Sequence, residues 1–87
     1  MSKTFIEAVN KVNLQKNTLI VSNDIQAKLY GLYKRVTVGL CSEHGGERPG
    51  FLRVYARTKY DSWKLYDEYT VEQCEKMYID TVSSILD

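Results

Sequence analysis

Apolar residues recur at steps of three and four along separate stretches of this chain, and that spacing constrains the fold more than any other feature. The clearest stretch begins with a capping box of Thr70 and Gln73. Its apolar residues are Val71, Cys74, Tyr78, Val82 and Ile85. In an α-helix such residues share one face, which must be buried against another element. The pattern therefore predicts an all-α protein whose helices pack on one another.

Two more helices are predicted in the first half of the chain. One covers about residues 4–14, where Thr4 and Glu7 would form a capping box before a stripe of apolar residues. The other follows three adjacent N-cap candidates at 22–24 and continues to about Val38, because Gly39 then stops it.

The middle of the chain predicts a long loop followed by a further helix. Residues 40–50 contain Gly45, Gly46, Pro49 and Gly50, so we expect no regular structure there. The next helix should run from residue 51 or 52 to about residue 65. Four of its residues are available for packing: Leu52, Ala56, Tyr60 and Trp63. Four helices in all are expected.

Length and composition predict a single domain, residues 1–87, of an ordinary soluble globular protein, with 44% hydrophobic and 26% charged residues. No secretory signal, lipidation motif or run of transmembrane length is present, so the expected compartment is the cytosol, without stable membrane anchoring. Cys41 and Cys74 match no disulfide framework and are expected to be reduced.

Residues for catalysis or metal binding are scarce. The one histidine, His44, lies beside two glycines, and although Cys41 could pair with it on paper, no third group is evident to orient them. Two separated cysteines and one histidine also supply no known metal-ligand spacing. We therefore expect neither an enzyme nor a metal site.

Charge is unevenly distributed, and this predicts an anion site. Residues 28–64 carry eight Lys or Arg and three Asp or Glu, a local balance of +5 in a chain whose net charge is +1. A basic middle with acidic ends favours a localised anion site over a nucleic-acid surface, although a solvated mixed-charge surface would give the same pattern.

Tyrosine and lysine stand together within this basic region. Tyr30, Tyr33 and Lys34 share one face of the second helix, beside an apolar face, which suits a ligand that is part apolar and part phosphate. Simple packing of tyrosines at a helix boundary is the alternative. Lys59 forms a second cluster with Tyr60 and Trp63, and Tyr78 could serve core packing or ligand contact equally.

Taken in order, these motifs resemble the acyl-CoA-binding protein family over nearly the whole chain. The series comprises Phe5, Ala8 and Val12, then Leu29-Tyr-x-x-Tyr-Lys34, Thr37-Val-Gly39, Glu47-Arg-Pro-Gly50, Lys59-x-Asp61-x-Trp63 and Tyr78-Ile-Asp80. The resemblance implies a four-helix up-down-down-up bundle. It also implies that the chain carries fatty acyl-CoA without catalysis or a cofactor, with the acyl chain in a groove.

The resemblance also assigns roles to single residues. It implies that the CoA head group contacts Tyr30, Tyr33, Lys34, Lys59 and Tyr78. Three positions depart from the family pattern and are possible auxiliary contacts, with lysine commoner at the first two and tryptophan at the third: Asn13, Tyr55 and Tyr60. Gln26 and Ala27 replace bulkier residues that face the acyl chain.

We expect the groove itself to be lined by apolar residues of the first two helices, namely Phe5, Val9, Val12, Ile25 and Leu29. The apolar segment 19–21 should lie near it. The only partner expected is acyl-CoA, with no nucleic acid, and the chain should be a monomer. A helical protein-interaction module, in which the tyrosine face binds another protein, remains the alternative.

Overall fold

A computed structural model describes residues 1–15 and 21–86, and within them it contains five α-helices and no strand. The helices are α1 (Lys3–Gln15), α2 (Asn23–Thr37), α3 (Cys41–His44), α4 (Val54–Leu65) and α5 (Val71–Leu86), and a 3₁₀ turn at Tyr66–Glu68 joins the last two. The all-α prediction is confirmed. The prediction that segment 19–21 lies near the acyl groove concerns residues that are mostly outside the described part of the chain.

The outer helices α1 and α5 run parallel to each other. The backbone N–H of Ser2 donates to the carboxylate of Glu75 at 3.3 Å. One turn further along both helices, the rings of Phe5 and Tyr78 meet edge to face with their centroids 5.0 Å apart. Contacts that advance in the same direction on both helices establish the parallel arrangement.

The inner helices α2 and α4 are also parallel, since Lys59 lies over the ring of Tyr30 and, one turn later on both helices, Lys34 lies over Trp63. The end of α2 meets the start of α5, because the guanidinium of Arg35 donates to the carbonyls just before α5. The four long helices therefore have the expected up-down-down-up order.

The core lies where α1, α2 and α5 meet. Its members are apolar or aromatic side chains less than a tenth exposed: Phe5, Ala8, Leu29, Leu32, Tyr66, Cys74, Tyr78 and Val82. Burying each large apolar side chain contributes roughly 1.5–3 kcal/mol. The helical stripes identified in the sequence therefore supply this core.

The first residues of α1 and α5 can be compared with the two predicted capping boxes. The capping box of Thr70 and Gln73 is confirmed, with reciprocal bonds of 2.9 and 3.1 Å. The prediction of a capping box at Thr4 and Glu7 is wrong, because α1 already starts at Lys3. The hydroxyl of Ser2 instead accepts a hydrogen bond from the N–H of Phe5 at 3.1 Å. The tertiary bond from Ser2 to α5 holds this earlier start in place.

Residues 40–50 are not wholly irregular, which corrects the sequence-based prediction. Residues Cys41–His44 form the one-turn helix α3, whose first two N–H groups donate to the carboxylate of Asp67 at 2.7 and 3.0 Å. The cap is 25 or more positions away in the chain, so local sequence could not reveal it. Helix α4 also begins later than expected, at Val54, and Leu52 is 83% exposed, so it does not supply the packing expected of it.

The inner helices make their closest approach at Gly31. A Cβ atom there would lie only 2.5 Å from the backbone oxygen of Ser62. The hydroxyl of Ser62 also donates to the carbonyl of Ala27, one turn earlier on α2. Glycine is therefore required at this point, and residues on the N-terminal side of the contact are left to line a cavity.

Candidate ligand site between α2 and α4

A cavity of about 530 Å³ lies between the N-terminal parts of α2 and α4. Its lining mixes apolar, amide, hydroxyl, phenol and ammonium groups, from Asn23, Gln26, Ala27, Tyr30, Val54, Tyr55, Thr58 and Lys59. This volume is in the range of small-molecule sites, which typically span about 300–1,000 Å³. Parallel helices that touch at Gly31 thus leave room for a ligand beside that contact.

A second cavity of about 260 Å³ adjoins the first, on the side of the loop that follows α3, residues 45–53. Both cavities are lined by Tyr30, Tyr55 and Lys59, while Glu47, Pro49 and Trp63 belong to the second alone. The shared residues stand at the junction, so an elongated ligand could extend from one cavity into the other.

Lys59 occupies this junction. Its Nζ lies 4.8 Å from the ring centroid of Tyr30 and 4.9 Å from that of Tyr55, which places the ammonium between two phenol rings. In residues 1–15 and 21–86 no carboxylate forms an ion pair with it. Contacts of a cation with ring faces hold the side chain in position while its charge stays available to an anion.

Lys34 supplies a second positioned cation one turn beyond Tyr30. Its Nζ lies 5.0 Å above the ring of Trp63. Trp63 is only 6% exposed, and its indole N–H donates to the carbonyl of Gly39 at 2.9 Å, so the ring under the lysine is fixed. The cluster therefore presents two cations along one line of the surface.

The remaining predicted head-group residues, Tyr33 and Tyr78, differ in exposure. Tyr33 is 40% exposed, whereas Tyr78 is 3% exposed and packs against Phe5 in the core. Burial, with a smaller effect from Tyr33, raises the pKa of Tyr78 to about 12. Tyr78 thus stays a neutral phenol at physiological pH, and most of its surface serves packing.

Polar contacts hold the loop beside the second cavity. Arg48 makes a bidentate ion pair with Asp61 at 2.8 and 2.7 Å, and the Tyr60 hydroxyl donates to the Gly46 carbonyl at 3.3 Å. The hydrogen bond from Arg48 lowers the pKa of Asp61. Asp61 therefore anchors the loop to α4 and leaves Lys59 without a carboxylate partner.

The structure brings together Tyr30, Tyr55, Tyr60 and Lys59 at the two cavities, with Lys34 beside them. The exposed Asn13 on α1 lines neither of these cavities. The expected groove residues Phe5 and Leu29 are core members, and three more pack against that core while partly buried: Val9, Val12 and Ile25. None of the five lines either cavity, and their contact with an acyl chain stays a prediction.

Sequence reasoning missed three lining residues, Asn23, Val54 and Thr58. A signal was available in their helical spacing. Asn23 precedes Ala27, and Val54 precedes Thr58, by four positions each, so each pair shares a face. What the sequence could not reveal is that these faces meet across a gap.

Comparison with known proteins shows the family to which this chain belongs. A profile of the family described as Acyl CoA binding protein matches residues 2–82. This chain belongs to that family. The all-α bundle with a cavity between α2 and α4 is therefore the bundle of a member of this family.

Individual members of the acyl-CoA-binding protein family also match this chain over most of its length. The Acyl-CoA-binding protein of Brassica napus is 33% identical over 87 residues, which cover 100% of this chain and 89% of that protein. The fold of this chain matches the crystal structure of Oryza sativa Acyl-CoA-Binding Protein 2 with a TM-score of 0.82 at 34% identity. The match covers 97% of this chain and 86% of that one.

Longer proteins also contain a matching region. Enoyl-CoA delta isomerase 2 of Homo sapiens is 32% identical over 83 residues, which cover 95% of this chain but 20% of that protein. Acyl-CoA-binding domain-containing protein 1 of Arabidopsis thaliana is matched over 18% of its length. The chain thus spans about a fifth of these two relatives, and nine tenths of the Brassica protein.

Proposed function

We propose that this chain binds medium- and long-chain fatty acyl-CoA thioesters and acts as a non-enzymatic intracellular carrier and pool former. The observation that carries the proposal is the position of Lys59. Its ammonium stands between Tyr30 and Tyr55, without a carboxylate partner in the described residues, at the junction of two cavities. A cation so placed suits the phosphates of a ligand whose apolar part fills the adjoining space.

The acyl chain, in this proposal, occupies the cavity beside Ala27. That cavity presents the methyl groups of Ala27 and Val54 and the rings of two tyrosines. Each methylene removed from water contributes roughly 0.8 kcal/mol. The tail therefore supplies much of the affinity.

The CoA head group lies towards Lys59 and Lys34. Hydrogen bonds to charged phosphate contribute roughly 1.5–3 kcal/mol each, and the exposed phenol of Tyr33 can donate another. Free fatty acids lack the nucleotide and its phosphates, so the positioned cations discriminate against them.

The arrangement of Cys41 and His44 also favours a binding protein over an enzyme. Burial raises the pKa of the Cys41 thiol, and its Sγ contacts the carbonyl of Tyr60, so it is neither a thiolate at neutral pH nor open to a substrate. The side chain of His44 is about half exposed, and its Nε2 lies 3.8 Å from the carboxylate of its neighbour Glu43. These groups offer no assembled nucleophile and base.

Calorimetric titration with palmitoyl-CoA, free CoA and palmitate tests the proposal. We expect palmitoyl-CoA to bind far more tightly than either fragment, because only it engages both the cavity and the lysines. Equal affinity for CoA and palmitoyl-CoA would contradict a role for the cavity in holding the tail.

A pair of matched substitutions locates the tail. Ala27→Trp would fill the cavity between α2 and α4, whereas Ala56→Trp makes the same change at the second cavity. We expect the loss caused by Ala27→Trp to grow with acyl length across butanoyl-, octanoyl- and palmitoyl-CoA. A length-dependent loss in Ala56→Trp alone would place the tail in the second cavity instead.

A further inference from the structure

The wall of the cavity beside Ala27 is more polar than a plain alkyl chain requires. Of its eight lining residues only Ala27 and Val54 are aliphatic. Sites for apolar ligands are lined predominantly by hydrophobic and aromatic side chains. Here three residues with neutral polar groups belong to the wall, and we call them the polar lining: Asn23, Gln26 and Thr58. A purely aliphatic tail would therefore lie against amide and hydroxyl groups.

The two amides of the polar lining lie at the end of the cavity away from Tyr30. Asn23 and Gln26 are three positions apart on α2 and therefore share a face. Seven positions separate Asn23 from Tyr30, which amounts to about 10 Å along the helix axis. Thr58 lines the same cavity from α4. An acyl chain that enters beside Tyr30 therefore meets the amides with its distal part.

The polar lining has unused capacity for hydrogen bonds. In the part of the chain that the structure describes, the side-chain amide of Asn23 makes no hydrogen bond. Gln26 donates through Nε2 to the carbonyl of Val21 at 3.3 Å, which leaves its amide oxygen as an acceptor. The Thr58 hydroxyl donates to the carbonyl of Val54 at 3.0 Å, and its oxygen can still accept. All three side chains are exposed, so a ligand that covers them must replace their bonds to water.

We propose that the preferred ligand of this site is an acyl-CoA whose chain carries a hydroxyl group in its distal part. This inference rests on the proposed function and specifies the acyl group. A hydroxyl can donate to the amide oxygen of Gln26 and accept from the amide nitrogen of Asn23. Because the polar lining contains no charged group, it suits a neutral hydroxyl and not a second carboxylate, whose burial would need a cation.

The sign of the hydroxyl effect distinguishes the polar lining from an apolar groove. In an apolar groove, a hydroxyl on the chain loses its hydrogen bonds to water and weakens binding. Beside the polar lining the hydroxyl exchanges water for protein partners, whereas an unsubstituted chain leaves the amides unpaired. The same substituent therefore changes the affinity in opposite directions in the two cases.

The test is calorimetric titration with pairs of acyl-CoA thioesters that differ by one hydroxyl group on the last carbon. The pairs are octanoyl-, dodecanoyl- and palmitoyl-CoA with their ω-hydroxy forms. We expect the hydroxyl to raise the affinity by about two- to tenfold in at least one pair. A hydroxyl on the third carbon of dodecanoyl-CoA, close to the thioester, should give no such gain. Equal or lower affinity of all three ω-hydroxy forms, or an equal gain from the 3-hydroxy form, would overturn the proposal.

Two matched threonine substitutions locate the effect at the polar lining. Thr58→Val and Thr37→Val each remove a hydroxyl that donates to the carbonyl four positions earlier, at 3.0 and 2.7 Å. Thr58 lines the cavity and Thr37 does not. Thr58→Val should lower the ratio of the affinities for the hydroxylated and the plain ligand, whereas Thr37→Val should keep it. Gln26→Leu/Thr58→Val should bring the ratio to one or below.

This ratio compares two ligands on the same variant, so a change in folding or in head-group binding cancels. An equal fall of the ratio in Thr37→Val, or an unchanged ratio in Gln26→Leu/Thr58→Val, would overturn the role of the polar lining. Tight binding of palmitoyl-CoA relative to free CoA, without a gain from the hydroxyl, would overturn this proposal and leave the proposed function standing. If no acyl-CoA, plain or hydroxylated, bound more tightly than free CoA, both proposals would be wrong.

Discussion

The two pairs of parallel helices in this bundle differ in how completely the space between them is filled. Between α1 and α5, Phe5 and Tyr78 meet ring against ring, and Ala8 and Val82 are buried beside them. Between α2 and α4, the helices touch at Gly31 and leave a cavity of about 530 Å³ on its N-terminal side. The difference shows that the space between α1 and α5 is filled by buried side chains, whereas the open volume, where we propose that the ligand binds, lies between α2 and α4.

The kind of force also differs between the two sides. The α1–α5 side is held mainly by apolar burial, while the loop beside α4 is held by Arg48 with Asp61 and by Asp67 at the start of α3. Apolar burial does not depend on pH, whereas carboxylate contacts do. Substitutions on the two sides should therefore have separable effects.

Phe5→Ala should have the largest effect and should act on stability. Phe5 is 1% exposed, and truncation of a buried phenylalanine typically costs about 3–5 kcal/mol. Urea denaturation monitored by circular dichroism measures this loss. Leu14→Ala, on the same helix but 86% exposed, should stay within about 0.5 kcal/mol of the unmodified protein. Similar losses in both variants would mean that the α1–α5 side is not the stabilising one.

Lys59→Ala should act on binding and leave stability nearly unchanged. Removing its charge should weaken palmitoyl-CoA binding by about 1.5–3 kcal/mol, roughly ten- to a hundredfold. Lys34→Ala should lower affinity in the same range. Lys76→Ala removes an exposed lysine of α5 and should be nearly silent. If calorimetry at fixed salt gave equal losses for Lys59 and Lys76, general attraction would replace a positioned clamp as the explanation.

Asp67→Asn should have the smallest effect, and one that depends on pH. Burial alone would raise the pKa of Asp67, but hydrogen bonds from the N–H groups of Cys41 and Ser42, with Lys64 nearby, bring it below its usual value. A depressed folded-state pKa stabilises the protein above the unfolded pKa of about 3.9, and this stabilisation is lost as pH falls through the folded value.

At pH 7 we therefore expect Asp67→Asn to lower the free energy of unfolding by about 1–2 kcal/mol. The gap between the two proteins should begin to close as the pH falls below the unfolded pKa of about 3.9, and it should vanish below the lower folded-state pKa, where Asp67 is protonated in the folded protein too. Urea denaturation at pH 7, 4 and 2.5 measures it, with exposed Asp80→Asn as control. A gap that persisted at the lowest pH would show that charge on Asp67 does not hold α3.

Several features could be predicted because they are encoded locally. The cap at Thr70 and Gln73 and the stop at Gly39, whose φ is +124°, depend on residues within one turn of each other. The cluster of Tyr30 with Lys34 likewise follows from helical spacing. Local encoding explains why the long helices could be predicted and why Tyr30 and Lys34 were expected on one face of α2.

Features that depend on distant residues escaped prediction. The start of α1 depends on Ser2 and its bond to Glu75, 73 positions away. Helix α3 depends on Asp67, and the placement of Lys59 against Tyr30 depends on how α4 lies beside α2. Spacing along one helix reveals which residues share a face but not which face remains open.

By itself the sequence determined that the chain is helical and approximately where its long helices lie, since hydrophobic periodicity and capping act over a few residues. The tertiary structure alone decided that Phe5 and Leu29 close the core while Ala27 and Lys59 line a cavity. The physical reason is packing. Helices α2 and α4 touch at Gly31 and leave space unfilled on the N-terminal side of that contact, and which space stays open depends on side chains far apart in the chain.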